Sequence, residues 1–346
     1  MRELLQGGLY ARLLAWWEGL GWYTWIFDAI WMVAMAVLVI VFILLTVLAL
    51  VWLERKVSGD LQSRVGPNRV GGRFGLLQTV ADALKLLMKE DIFPAGADRI
   101  VFWLAPFVVF VPTVLVFMVV PFSDRWMVKD LNLGVLFVVA VSAFPVVGMM
   151  MAGWASNNKY SVLGAFRAAA QSLSYEIPLV LALVCVVVVA GSLRVGEIVA
   201  AQRGGQWFIL RFPLQLAFLV YFITALAEVN RVPFDLPEAE SELVAGYHVE
   251  YSGMRFALFF LAEYAHLFFV AAFCTTLFLG AGEGPWLPPV VWFLAKSYAV
   301  VIAVMWVRWT LPRLRIDQVM EFSWKLLVPV GLALVLLTAA MQVRWS

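Results

Sequence analysis

Long apolar windows without charges recur along the chain, and polar connections separate them. A helix needs about 20 mainly apolar residues to cross a bilayer core about 30 Å thick. The windows lie at residues 29–53, 100–123, 131–153, 177–193, 212–227, 256–282 (interrupted by Glu263), 286–307 (interrupted by Lys296) and 326–343. This pattern predicts eight transmembrane helices. The fourth and fifth windows have only 17 and 16 residues, so we expect their helices to extend past the bounding charges.

The first connection, residues 54–99, is structured rather than a simple turn. A turn cluster at 64–72 contains several glycines and Pro67. Positions 76–90 follow, and at 100° per residue their apolar side chains share one sector, with Leu86 as the only large exception. This predicts an amphipathic helix that lies flat on the membrane or against the protein.

The predicted organisation is therefore a single all-α polytopic membrane domain over residues 1–346. Within it, residues 1–28 are expected to form an interfacial segment. Residues 54–99 form a cytoplasmic loop with an amphipathic helix, and residues 228–255 form an acidic cytoplasmic loop. The loops after the first, third, fifth and seventh spans hold 16 Lys and Arg, against 8 in the termini and the other loops. The positive-inside rule therefore places those four loops in the cytoplasm. Both termini are then expected on the periplasmic side of a bacterial inner membrane.

Composition supports the membrane assignment and excludes other classes. The chain is 64% apolar and only 14% charged, with mean hydropathy +0.91, whereas a soluble domain carries about 25% charged residues. A net charge of +2 gives no field for binding nucleic acid. The two cysteines, Cys185 and Cys274, lie far apart in apolar runs, which favours neither a disulfide nor a metal site. Any redox centre is expected on another chain.

An acidic segment, residues 227–242, follows the fifth window directly. Five of its sixteen residues are carboxylates, against a single arginine, Arg231. Pro233 and Pro237 prevent one continuous helix, and the apolar residues between the acids predict partial burial. A solvated loop is the usual explanation of such a charge run. Crowded carboxylates at low dielectric tend instead to keep protons, because desolvation and like charge both favour the neutral form. The segment is therefore a candidate set of proton sites.

Three further ionisable residues lie at or inside predicted spans. Glu263 sits in an otherwise apolar span with His266 one turn away on the same face. A carboxyl at membrane depth costs roughly 2.5–3.5 kcal/mol and marks a functional position by default. Lys296 is similarly placed, although snorkelling is the alternative. Glu176 opens the fourth span, where a favourable charge at a helix start is an equally good explanation. No second His or Cys stands near His266 at ligand spacing, which disfavours a metal there.

Several motifs together resemble one family. They are ERK at 54–56, Arg64 with GPN at 66–68, ADALK at 81–85, WASNNKY at 154–160, LGAFR at 163–167, SYE at 174–176, the acidic segment, EYSG at 250–253, AEY at 262–264 and RWTLPRLRIDQ at 308–318. In order and spacing, from about residue 50 to 330, they are similar to the H subunit of proton-pumping NADH–quinone oxidoreductase, complex I.

The resemblance implies a coupling subunit that joins the membrane arm to the peripheral arm and walls a quinone chamber. It implies that the chamber or its mouth is lined by Glu54, Arg55, Arg64, Asp82, Arg231 and Asp235. It implies a proton-coupling group to which we assign Glu176, Glu228, Glu238, Glu240, Glu242, Glu250, Glu263 and Lys296. The chain would bind no cofactor itself and would be inactive alone. Quinone would be the substrate, FMN and iron–sulfur clusters would lie on partner subunits, and the partners would be peripheral-arm quinone-site subunits and small membrane subunits.

One departure from the family pattern concerns the third span. Some members place an acid there and many place a tyrosine, but residues 142–147 contain neither. Water or a neighbouring subunit would therefore have to carry the proton path past this part of the third span.

Two alternative functions also stay open. One is the homologous subunit of a membrane-bound hydrogenase or ferredoxin-driven complex. The other is a secondary ion transporter that uses Glu263 and Lys296, although no internal repeat supports it.

Overall fold

The regular structure of the chain is helical. The computed structural model describes residues 13–14, 16–17, 23–123 and 127–345, and within these ranges it contains no β-strand. Most of the expected interfacial segment 1–28 lies outside the described residues. The helices are α1 (Thr24–Leu61), α2 (Gln78–Met88), α3 (Arg99–Leu115), α4 (Gly134–Ser142), α5 (Phe144–Ala155), α6 (Lys159–Ala190), α7 (Val195–Ala200), α8 (Leu214–Glu228), α9 (Glu240–Leu243), α10 (Gly253–Phe278), α11 (Pro289–Thr310), α12 (Ile316–Phe322) and α13 (Val328–Trp345).

Seven helical segments of the described chain are long and apolar enough to cross a membrane. They are α1, α3 with the turn that follows it, α4 joined to α5, α6, α10, α11, and α12 joined to α13. The predicted fourth span extends as expected, because α6 begins at Lys159 and includes the charged residues before the apolar window. The fifth does not extend. Helix α8 has 15 residues, or about 22 Å at 1.5 Å per residue, so it is shorter than the bilayer core. The protein is a multi-pass membrane protein.

Helix α10 forms the centre of the bundle. It packs against α1, α3, α8 and α11, and every residue from Tyr264 to Phe278 is buried. A helix that is apolar on all sides is stable only when other helices or lipid surround it completely. Glu263 lies just before this buried stretch, so the fold places its carboxylate among other helices rather than in lipid.

The amphipathic helix α2 turns its apolar side away from the rest of the chain. Val80, Leu84 and Leu87 are exposed. The side that contacts α1 and α10 carries Thr79, which is buried, and Leu86, which is half-buried. Leu86, the exception to the apolar stripe, therefore packs on the protein. The predicted helix is confirmed, and its stripe is available to lipid.

The acidic segment folds back into the bundle. Phe234 and Leu236 are buried, as their alternation with the acids predicts. Helix α6 approaches the segment closely at Gly164, where a Cβ atom would lie 2.8 Å from the carbonyl oxygen of Pro237. A side chain at Gly164 would therefore displace the segment. We call the end of the bundle that carries this segment, where α1, α5, α8 and α11 end and α10 begins, the acidic end.

Candidate functional site

A largely buried charge cluster of Glu54, Arg231, Glu263 and Arg308 lies at the acidic end. The Arg231 Nη2 atom lies 2.9 Å from Oε1 of Glu263, and its Nη1 atom lies 3.9 Å from Oε1 of Glu54. Arg308 donates to the same oxygen of Glu54. The Arg231 side chain is only 5% exposed, and its guanidinium carbon lies 4.5 Å from the ring centre of Tyr264. Four residues from α1, α10, α11 and the acidic segment thus neutralise one another, and Arg308, at 25% exposure, is the most exposed of them.

The electrostatics of Arg231 follow from this surrounding. Burial by itself lowers the pKa of Arg231, but the charges of Glu263, Tyr264 and Glu54 outweigh it, so the pKa lies well above its usual value. Arg231 is therefore a fixed positive charge. Its two carboxylate partners are held close together by it, and either would repel the other without it.

A second ion pair joins α1, at the residue next to Glu54, to the amphipathic helix. The Nη1 atom of Arg55 lies 2.6 Å from Oδ2 of Asp82, and Arg55 is the neighbour of Glu54 in α1. The Asp82 carboxylate consequently faces α1, away from the exposed apolar stripe of α2. Arg64 is not part of this group. It is exposed on the loop between α1 and α2, where its Nε atom donates to Gln62 at 2.6 Å.

The acidic segment adds a titratable pair next to the charge cluster. Oε1 of Glu238 lies 3.8 Å from Nδ1 of His248. Burial, and then the neighbouring charges of Glu263 and Asp235, raises the pKa of Glu238 well above its usual value. Burial also lowers the pKa of His248, to about 4. Burial thus favours the neutral form of both side chains.

Two adjacent cavities continue from the charge cluster toward α6. Cavity 1 has a volume of about 50 Å³ and is lined by Glu263 and His266 of α10 and by Glu228 of α8. Cavity 2, of about 20 Å³, is lined by Glu228 and by Glu176 of α6. A water molecule needs roughly 10–15 Å³ of such space, so both cavities have room for water. Glu228 borders both of them and is the ionisable residue that they share.

The third span breaks at the level of these cavities. Helix α4 ends at Ser142 and α5 begins at Phe144, with Pro145 in its first turn. Ser142 lines both cavities, and so does Ser172 of α6. The span that lacks an acid and a tyrosine thus contributes Ser142 to the lining of the cavity that Glu228 and Glu176 share.

Two acids of the predicted coupling group, Glu242 and Glu250, lie apart from this path. Glu242 accepts a hydrogen bond from Arg167 at 2.6 Å and lies 2.8 Å from Arg313. The hydrogen bond from Arg167 lowers the pKa of Glu242. Glu250 accepts from the Nδ2 atom of Asn158 at 2.6 Å, and Asn158 caps the first turn of α6. The backbone of Glu240 begins α9, but its side chain lies outside the described part of the protein.

Lys296 lies at the opposite end of the bundle from these acids. Its Nζ atom donates to the carbonyl oxygens of Leu279 at 2.6 Å, Ala281 at 3.2 Å and Glu283 at 2.7 Å. It also lies 4.1 Å from the ring centre of Trp207. Leu279 is 16 residues beyond Glu263, or about 24 Å along a helix. The structure therefore does not bring Lys296 and Glu263 into one ion site, and Lys296 closes the end of α10.

Sequence analysis assigned no role to three residues that the structure brings into the site. His266 lies 3.3 Å, through Nε2, from Oε1 of Glu228. Arg308 supplies the second cation of the charge cluster, and its signal in the sequence is a charge at the end of an apolar window. Gln171, equally unforeseen, donates to the carbonyl oxygen of Ala227 at 2.7 Å and to Asn230 at 3.0 Å, which fixes the end of α8.

The chemistry available here is the movement of protons. Within the residues that the structure describes, no three His, Cys, Asp or Glu side chains are grouped so that they could hold a metal ion. Carboxylates and an imidazole line the two cavities instead, and fixed cations lie beside them. Side chains of this kind are chemically able to take up and release protons.

Comparisons with known proteins give a consistent result. A family model described as NADH dehydrogenase matches residues 34–339. The chain is 56% identical over 311 residues to the H subunit of NADH-quinone oxidoreductase from Dehalococcoides mccartyi (strain CBDB1), and the match covers 89% of this chain and 87% of that protein. It is 56% identical over 294 residues to the H subunit from Geobacillus kaustophilus (strain HTA426), covering 84% of this chain and 87% of the relative. The H subunit from Bacillus thuringiensis (strain Al Hakam) is 53% identical over 294 residues, which cover 84% of this chain and 87% of that relative.

Proposed function

The chain belongs to the NADH dehydrogenase family as a membrane subunit of an NADH–quinone oxidoreductase, and on that premise we propose that it walls the quinone chamber and couples quinone reduction to proton translocation. One observation carries this proposal. The buried charge cluster of Glu54, Arg231, Glu263 and Arg308 shares Glu263 with a cavity that leads, through Glu228, to Glu176. An event at the cluster therefore has an ionisable path toward α6.

The chamber function rests on the side of the cluster that faces α1 and α2. Glu54, Arg55, Asp82 and Arg231 lie there as paired charges, and we place Asp235 and the exposed Arg64 at the mouth of the same chamber. Reduction of a quinone takes up two electrons and two protons, so it creates transient charge in the chamber. This charge favours some pairings of the charged side chains over others. The pairs therefore rearrange, because a ligand shifts a protein toward the states that bind it best.

The coupling function rests on the acids beyond the cluster. When charge in the chamber weakens the hold of Arg231 on Glu263, the Glu263 carboxylate takes up a proton, and the protonation of Glu228 and Glu176 follows through the two cavities. Water beside Ser142 and Ser172 bridges the level at which the third span has no acid. In this proposal Glu238 is a neighbouring proton store. Glu242 and Glu250 hold the acidic segment in shape through Arg167 and Asn158, Glu240 stays a proposed member of the coupling group, and Lys296 anchors the far end of α10.

The proposal also fixes what other chains must supply. Electron carriers, namely FMN and iron–sulfur clusters, belong to partner subunits, so this chain is inactive by itself. Its acidic end contacts the peripheral-arm subunits that hold the quinone headgroup, and its flanks contact small membrane subunits. We place the complex in the bacterial inner membrane, with the acidic end in the cytoplasm and both termini in the periplasm.

Purification of the intact complex through an affinity tag on this chain tests the proposal. We expect flavin, several iron–sulfur clusters and NADH-dependent quinone reduction to co-purify, with proton uptake into sealed vesicles that a quinone-site inhibitor stops. A complex that reduces protons to hydrogen, or accepts electrons only from ferredoxin, would point to the hydrogenase-like alternative. A chain that purifies alone and exchanges ions in liposomes would contradict the proposal.

Asp82→Asn tests the chamber separately. The amide cannot balance the charge of Arg55, which lies 2.6 Å away, so we expect the apparent KM for quinone to rise several-fold while assembly stays near normal. The measurement is steady-state quinone reduction by the assembled complex. Asp60→Asn, at an exposed position in the last turn of α1, is the matched control and should leave KM unchanged. An unaltered KM in the Asp82 variant would mean that this carboxylate lies only on a solvated helix face.

A further inference from the structure

His266 stands between two acids that belong to different helices. Its neighbour in α10, Glu263, is one turn away, and its contact across cavity 1 is Glu228 of α8. We propose that His266 carries protons between Glu263 and Glu228, and is therefore a working member of the coupling path rather than a packing residue. This inference rests on the proposed function and names the residue that joins its two parts.

The geometry places the imidazole where a carrier is needed. Nε2 of His266 lies 3.3 Å from Oε1 of Glu228. Residues three apart on a helix lie on one face, about 5–6 Å apart at their Cβ atoms, so His266 and Glu263 face the same space. Both line cavity 1. The direct contact covers the step to Glu228, and the cavity, with room for a few water molecules, covers the step from Glu263.

Burial argues against a space-filling role. Only about 9% of His266 is exposed, and the residues that follow it in α10 are apolar and buried. A buried polar group costs free energy unless it has a partner, and the partner here is an ionisable carboxylate rather than a backbone carbonyl. The ring of Phe269 also lies beside the imidazole, with 5.9 Å between the ring centres. An apolar side chain would fill the same space without this cost.

The transfer balances as a relay of one proton. An imidazole takes up a proton at one ring nitrogen and releases another from the second nitrogen near neutral pH. The proton of the Glu263 carboxyl passes through cavity water to the ring nitrogen that faces the cavity, and Glu263 becomes a carboxylate. The Nε2 proton then passes to the Glu228 carboxylate, which becomes neutral. The ring is then neutral again, but in the other tautomer. A rotation of the ring, or a proton transfer through cavity water, restores the tautomer that carries the proton on Nε2.

His266→Gln in the assembled complex is the decisive variant. Glutamine fills a similar volume and its amide can still donate to Glu228, but it cannot carry a proton. We expect quinone reduction and proton pumping to fall about tenfold, less than the roughly 10²–10⁴-fold typical of acid–base residues because cavity water partly substitutes. The KM for quinone and NADH oxidation by an artificial acceptor should not change. Leu267→Met, a volume-conserving change at the next buried position, is the packing control.

The outcomes separate this inference from the function on which it rests. If His266 only holds Glu228 in position, the glutamine amide replaces it, and wild-type rates in His266→Gln overturn the relay. If both residues act in one path, the double variant with Glu228→Gln is no slower than Glu228→Gln alone; multiplied losses would contradict a shared path. Should Glu228→Gln itself be fully active, the coupling proposal fails, whatever His266 does.

Discussion

Arg231→Met should have the largest effect of any single substitution in this chain. The side chain is buried and neutralises Glu263 at 2.9 Å and Glu54 at 3.9 Å. Methionine keeps the volume but leaves two carboxylates close together, with Arg308 as the remaining cation of the cluster. Removing one partner of a buried ion pair costs about 3–5 kcal/mol. We therefore expect quinone reduction to fall below a tenth of the wild-type rate and the amount of assembled complex to fall with it. A tenfold change in a rate or an equilibrium corresponds to about 1.4 kcal/mol, so the cost of breaking this pair is large enough for such a loss.

A graded set of variants separates charge from folding. Arg231→Lys keeps the charge but not the forked geometry that spans two carboxylates, so it should assemble normally and lose activity only in part. Arg194→Met is the matched control, because Arg194 pairs with Asp130 and Glu197 at the opposite end of the bundle and is 41% exposed; exposed pairs contribute about 0–1 kcal/mol. Activity and content are measured in purified membranes. Equal losses in Arg194→Met and Arg231→Met would refute a special role for the buried cluster.

The spans were predictable because their signal is local. Each apolar window is a continuous run of residues, and lipid demands such a run whatever the rest of the fold does. The exception is α8, which ends at Glu228 instead of extending past it. At that helix end Gln171 of α6 donates a hydrogen bond to the carbonyl oxygen of Ala227, a residue 56 positions away in the sequence. A contact at that separation cannot be seen in a window of adjacent residues.

The site was predictable in its residue types but not in its pairing. Glu238 and Glu242 belong to one acidic run, and their crowding predicts shared protons. In the fold their pKa values move in opposite directions, because Glu238 is enclosed beside Glu263, whereas Glu242 is exposed and bonded to Arg167. Local charge density is visible in a sequence. The cation that each acid meets comes from a distant helix, as Arg308 of α11 meets Glu54 of α1, and only the tertiary structure decides it.

Glu228→Gln and Glu263→Gln should each reduce quinone reduction and its coupled pumping several-fold, but for different reasons. Glu263 holds Arg231, so its amide variant also unbalances the charge cluster, and we expect some loss of assembled complex. Glu228 lies between the cavities and meets His266. Its amide variant keeps the shape of the site and removes only the exchangeable proton, so we expect normal assembly with slow turnover. Comparing the rate per assembled complex with the complex content of the membrane separates these two effects.

Glu197→Gln is the control for both, because Glu197 is 52% exposed and lies in the ion pair with Arg194 at the far end of the bundle. It should turn over at the wild-type rate. The ratio of protons pumped to quinone reduced tests the path more directly than either rate alone. A path in which protonation of Glu228 is obligatory slows both processes together and keeps the ratio, because a blocked proton step holds back the electron step to which it is coupled. A wild-type rate with normal assembly in Glu228→Gln would remove the coupling path, and the same result in Glu263→Gln would leave this chain only as a wall of the chamber.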